Sequence, residues 1–104
     1  MIDSPSLSIG EKELAIVSEI LRKIVPGCEV WAFGSRVRGE AKPYSDLDLA
    51  IVSDRPLSLA RLAELREAFS DSDLPWKVDL VDWASADPEF RKIIEREKVV
   101  IAGP

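Results

Sequence analysis

Apolar residues recur near the start of the chain at Leu14, Val17, Ile20 or Leu21, Ile24 and Val25, the spacing of one face of a helix. The pattern predicts a helix from about Ile9 to Val25. Ser8 and Glu11 stand in capping-box positions before it, and Pro26-Gly27 stops it. The period then changes. Glu29-Val30-Trp31-Ala32-Phe33 reads as a first strand, and Leu47 to Ser53 as a second. A helical period returns from Ser58 to Ser70, with Leu59, Leu62, Leu65 or Ala63, and Phe69 turned inward. Trp76 to Trp83 reads as a third strand. Asp87 caps a last helix with Pro88 at its first position, running to about Glu97 with Phe90, Ile93 and Ile94 inward. Lys98 to Ala102 is a short strand or an extended tail.

Two segments stand out against this alternation. Phe33-Gly34-Ser35-Arg36-Val37-Arg38-Gly39 ends the first strand in a glycine turn and a brief helical turn closed by Gly39. Ser45-Asp46-Leu47-Asp48-Leu49-Ala50-Ile51-Val52 opens the second strand with two carboxylates. Strand residues alternate faces, so Asp46 and Asp48 share one face while Leu47, Leu49 and Ile51 share the other. Two carboxylates about 4 Å apart repel by roughly 4 kcal/mol at a near-surface dielectric, unless a proton or a cation relieves them. Hard oxygen ligands of this kind suit Mg²⁺ together with substrate phosphates. The free amides of a Gly-Ser turn can hold phosphate oxygens. A phosphate holder and a metal holder thus come from adjacent segments. Taken alone, an Asp-x-Asp pair is an ordinary solvent-facing edge, and Ser35 is an ordinary helix cap.

Composition narrows the chemistry. The chain has 104 residues, enough for one domain, and is 46% hydrophobic and 32% charged, a globular balance. A net charge of −5 argues against broad binding to a nucleic-acid backbone, although Arg36 and Arg38 form a local basic site. With no histidine, imidazole metal sites and Ser-His triads are excluded. The single Cys28 forms no internal disulfide and reads as a small core residue. No apolar run reaches membrane-span length, and Met1 to Pro5 lacks a signal-peptide pattern, so the expected location is cytoplasmic with no membrane contact. Trp31, Trp76 and Trp83 read as core or interface, Tyr44 as a loop residue, and Lys42 and Lys77 as solvated.

Gly34-Ser35, then ten residues, then Asp46-x-Asp48 resembles the signature of the DNA polymerase β-type nucleotidyltransferase superfamily. The surrounding residues are most similar to its minimal nucleotidyltransferase (MNT) branch of small antitoxin-type proteins, and the likeness spans most of the chain as a single domain, 1–104. It implies an α/β (α+β) fold, a small mixed sheet with helices on one face and three acids on the open face. It also implies a third acid from a neighbouring strand. Asp79 and Asp82 are the candidates, on opposite faces; if Val78 and Leu80 face the helices, Asp79 joins Asp46 and Asp48, and the Val-Asp-Leu-Val segment resembles the family's third-acid motif at Asp79. On this likeness Asp46, Asp48 and Asp79 are the catalytic and metal-holding set for two Mg²⁺ ions, with Asp79 also a candidate general base. Gly34 and Ser35 would hold phosphate, and Arg36 or Arg38 would neutralise the leaving pyrophosphate.

The implied activity is AMP transfer from ATP to a hydroxyl, on a tyrosine of a HEPN-type toxin partner. Two other readings remain: a masking subunit without catalysis, or a transferase subunit for a small-molecule or RNA acceptor, of which nucleic acid is less favoured by the charge. A small sheet domain with apolar residues at Val99 to Ile101 leaves room for a homo- or hetero-oligomeric interface.

Overall fold

The computed structural model describes residues 7–103; Met1 to Pro5, where no signal-peptide pattern was found, lies outside them. The elements are α1 (Glu11–Ile24), β1 (Glu29–Phe33), α2 (Ser35–Arg38), β2 (Leu47–Val52), α3 (Leu59–Ser70), β3 (Val78–Asp82), a 3-10 turn (Trp83–Ser85), α4 (Pro88–Glu97) and β4 (Val99–Ala102). The four strands form one mixed sheet in the order β3-β2-β1-β4. β1 runs antiparallel to β2 and β4, while β2 and β3 are parallel, joined across α3. The last segment is therefore a strand of the sheet and not a free tail.

One face of the sheet packs on α1 and α3. Val17, Leu21 and Ile24 of α1 and Leu65 and Phe69 of α3 close over Val30, Ala32, Leu47, Leu49 and Ile51. The opposite face, expected to stay open around the acids, is partly covered. Trp31, Phe33 and Ala50 project there, and α4 lays Ile94 on them. Those apolar side chains need a cover, and the amphipathic α4 supplies it. Phe90 sets its ring edge-on to Phe33 at 5.8 Å.

Three sequence expectations change in the helices. α1 starts at Glu11 with Gly10 as its N-cap, not at a Ser8 cap. The Ser8 amide donates to the Arg36 carbonyl at 2.8 Å and its own carbonyl accepts from Arg36 Nη1 at 2.8 Å, so Ser8 is tied to α2 and cannot open the helix. Ser58 does cap α3, accepting from the Arg61 amide at 3.1 Å. Leu59, expected inward, is 85% exposed. It lies about 120° around the helix from Leu65, at 3.6 residues per turn. Ile93 is 47% exposed for a related reason: it sits about 100° from Ile94, which takes the buried position.

Candidate active site

Asp48 is the centre of the site, and the sheet puts it there. In the antiparallel ladder Phe33 lies opposite Asp48. The turn that follows Phe33 therefore arrives beside that carboxylate. Gly34 has φ 88°, and a Cβ built on it would overlap Asp48 Oδ2, so both the backbone angle and the close approach require glycine. α2 begins at Ser35 and ends at Gly39, whose φ of 78° closes the turn. On the other side of β2, the parallel ladder pairs Asp48 with Asp79. Register partners share a face, so the two carboxylates project together, with Asp46 two residues upstream.

Val78 and Leu80 pack with the α1–α3 core, on the face away from Asp79. Asp82 shares their face. Its Oδ2 accepts from the Leu57 amide at 3.1 Å and from Ser85 Oγ at 3.0 Å, while Oδ1 is buried without a hydrogen-bond partner. It pins the start of α3 and stays apart from the other acids.

The electrostatics converge on one group. The Asp48 carboxyl is raised to about 6, first by burial, then by the charges of Asp79 and Asp46, with Glu97 adding to them and Arg38 opposing. A carboxylate under this pressure fits a cation. The donor set is all oxygen, as a hard divalent ion requires. Among the described residues no three acidic side chains already close into a metal cage. An ion of this kind is commonly held by one or two carboxylates, with nucleotide phosphates completing its shell. Asp46, Asp48 and Asp79 are the residues that would do so.

The two arginines part company. Arg36 is 5% exposed. Its Nε donates to the Ser45 carbonyl at 2.9 Å, Nη1 to Ser8, and Nη2 to Pro43 at 3.1 Å and more weakly to Lys42 at 3.4 Å. Its guanidinium also lies 4.6 Å over the Trp76 ring. Burial lowers its pKa, with Asp46 and Glu13 pulling the other way. Every nitrogen of the fork is committed to backbone, so Arg36 leaves the phosphate-holding set. It braces the loop that delivers Asp46. Arg38 stays at the surface beside the acids. Its pKa is raised, first by its hydrogen bond to Glu40, and Nη1 also reaches Glu97 Oε1 at 3.1 Å. Tyr44 is 78% exposed on the same loop.

Glu97 is the member that the sequence did not disclose. Its Oε1 also accepts from the Gly34 amide at 2.7 Å. The cause is again register. Ala32 pairs with Val99 in the antiparallel β1–β4 ladder, so two steps on, Gly34 meets Glu97. Nothing local marks a glutamate that ends a helix; only the β4 pairing brings it in. A separate cleft of about 490 Å³, lined by Val25, Cys28, Leu57 and Arg61 among others, includes none of the three site acids.

The family model for the nucleotidyltransferase domain matches residues 14–101. The chain belongs to the nucleotidyltransferase-domain family. A Haemophilus influenzae protein named a probable protein adenylyltransferase, MntA, is 56% identical over 101 residues, covering 97% of this chain and 89% of that one. The crystal structure of a toxin–antitoxin with AMP-PNP matches at a TM-score of 0.75 and 26% identity, over 88% of this chain and 73% of that one. A tri-AMPylated Shewanella oneidensis HEPN toxin in complex with MNT antitoxin matches in fold at a TM-score of 0.68 and 24% identity, over 90% of this chain and 72% of that one. This nucleotidyltransferase is an enzyme of the minimal branch, and the mixed α/β sheet described above is the architecture it shares with those structures. No helix among its described residues is long and apolar enough to cross a membrane.

Proposed function

We propose that this nucleotidyltransferase moves AMP from ATP to a tyrosine hydroxyl on a HEPN-type toxin bound to it, and so acts as that toxin's antitoxin. The observation that carries the reading is the in-register pairing of Asp48 with Asp79 beside the Gly34 turn. The naming of the Haemophilus relative as an adenylyltransferase, and the AMP-PNP and tri-AMPylated-toxin structures, support the donor and the acceptor.

In this reading Asp46 and Asp48 would hold a divalent cation that neutralises the triphosphate and, with Asp79, would hold a second. Bound there, Mg²⁺ supplies charge neutralisation for the entering and leaving oxygens. Asp79 takes the proton as the acceptor hydroxyl attacks the α-phosphorus. The bond from that phosphorus to the β-phosphate oxygen breaks, and pyrophosphate leaves with Arg38 beside it. Ser35 and the turn orient the phosphates. Arg36 keeps the Asp46 loop in place and touches nothing that reacts.

The test is label transfer from α-phosphate-labelled ATP with Mg²⁺, in the presence of a HEPN-type partner, beside the Asp46→Ala/Asp48→Ala variant. Label on a partner tyrosine, lost in the variant, is expected. An intact complex without label on either protein would remove protein modification and leave masking, or a small-molecule or RNA acceptor.

A further inference from the structure

We infer that Glu97 is a specificity-determining residue of the nucleotide site: its carboxylate occupies the phosphate-oxygen position, so that only a polyphosphate arriving with a divalent cation displaces it. The inference rests on the nucleotidyl-transfer reading above.

The contacts are those of a bound anion. Oε1 of Glu97 accepts from the Gly34 amide at 2.7 Å and from Arg38 Nη1 at 3.1 Å, and Oε2 lies 3.4 Å from the same nitrogen. Carboxylate and phosphate oxygens compete for the same charge-assisted donors. The Gly34 α-carbon abuts the Asp48 carboxylate and the Arg38 charge acts on it, so a nucleotide phosphate brought to the acids arrives beside donors that a carboxylate already holds.

The position is one that Glu97 can leave. It lies in the last turn of α4, where the exposed carbonyls disfavour a negative charge. It also adds to the acidic surroundings of Asp48. Helix and neighbours both push the carboxylate away, and the two donors hold it. Four carboxylates, Asp46, Asp48, Asp79 and Glu97, thus surround the approach beside Arg38. A bare polyphosphate is repelled by them and finds its donors taken. A cation-bound polyphosphate satisfies Asp46 and Asp48 as it enters and supplies the anion that Arg38 and Gly34 then accept in exchange for Glu97. Without that carboxylate the discrimination weakens.

The experiment is calorimetric titration of the full chain, Glu97→Ala and Glu97→Gln with AMP-PNP plus Mg²⁺, and separately with tripolyphosphate in chelator. Wild type is expected to bind only the first. Glu97→Ala is expected to bind it about tenfold tighter and to gain measurable affinity for metal-free tripolyphosphate. Glu97→Gln, which keeps the packing but not the charge, should fall between them and serves if the alanine variant is unstable. The Gly34 amide resonance of the free protein should move in both variants, and in wild type it should move again on adding AMP-PNP with Mg²⁺, as the phosphate replaces the carboxylate; a wild-type resonance that stays put on nucleotide binding would overturn the displacement. Unchanged or weaker nucleotide binding in both variants, with wild-type binding intact and dependent on Asp46 and Asp48, overturns the inference alone. Folded wild type and variants that all fail to take AMP-PNP would overturn the nucleotidyl-transfer reading and this inference with it.

Discussion

Asp48 carries a proton more readily in the folded, metal-free chain than in the unfolded one. Its carboxyl moves from 3.8 to about 6, led by burial. Between those values the folded state binds more protons than the unfolded state. The contribution to stability is therefore fully present below about 4, falls as pH rises, and is lost above about 6. A two-unit shift caps the effect at about 3 kcal/mol, and solvent screening at this half-buried group reduces it. Asp48→Asn is expected to unfold at a higher temperature than wild type at pH 7.5 without metal, and to match it at pH 4. Parallel melting curves across that range would remove the effect. Arg36 acts in the opposite sense, as a buried charge whose donors are nearly all satisfied by carbonyls. Arg36→Ala is expected to destabilise the fold by about 2–4 kcal/mol by denaturant titration, through lost charged hydrogen bonds. Lysine should recover only part of this, because one ammonium cannot reproduce a planar fork. Full recovery by lysine would show that charge alone matters.

Among the elements, β3 separates two aspartates three residues apart. Asp79 faces the site across the parallel ladder from Asp48, while Asp82 holds Leu57 and Ser85. Asp79→Asn is expected to lower nucleotidyl transfer by about 10²–10⁴-fold, the range for losing a positioned general base. Asp82→Asn should keep most of the activity and lower thermal stability. Measuring both variants for transfer rate and melting temperature checks the assignment; a reversed pattern would exchange their roles. α4 has two duties that its sequence shows only in part. The Ile94 face covers Trp31, Phe33 and Ala50, which the helical period suggests. Its final residue enters the site, which the period does not reveal.

Across the molecule, the site draws on the β1–α2 turn, β2, β3 and the end of α4. Asp79 lies on β3, an edge strand of the sheet, beside the start of β2, where Asp46 and Asp48 lie. Asp79 is solvent-exposed there. An acceptor hydroxyl brought by another protein could approach at that edge. Transfer by the chain alone is therefore expected at background and should rise when the HEPN-type partner is added, measured by label from α-labelled ATP. Strong self-labelling of the isolated chain would overturn the requirement for a partner.

The sequence determined the elements and the local half of the site. The alternation from Asp46 to Val52 put two acids on one face, and Gly34-Ser35 at the end of an apolar strand marked a turn that only glycine could make. These are short-range constraints, carried by period, by φ and by residue type within a few positions. Tertiary structure decided the rest. The parallel register set Asp79 beside Asp48. The antiparallel β4 brought Glu97 to Gly34 across 63 positions. Burial decided between two arginines that look alike in sequence, sending Arg36 inward to backbone carbonyls and leaving Arg38 at the surface. Such choices depend on which strands pair and which side chain the core encloses, and strand pairing and enclosure are properties of the assembled sheet.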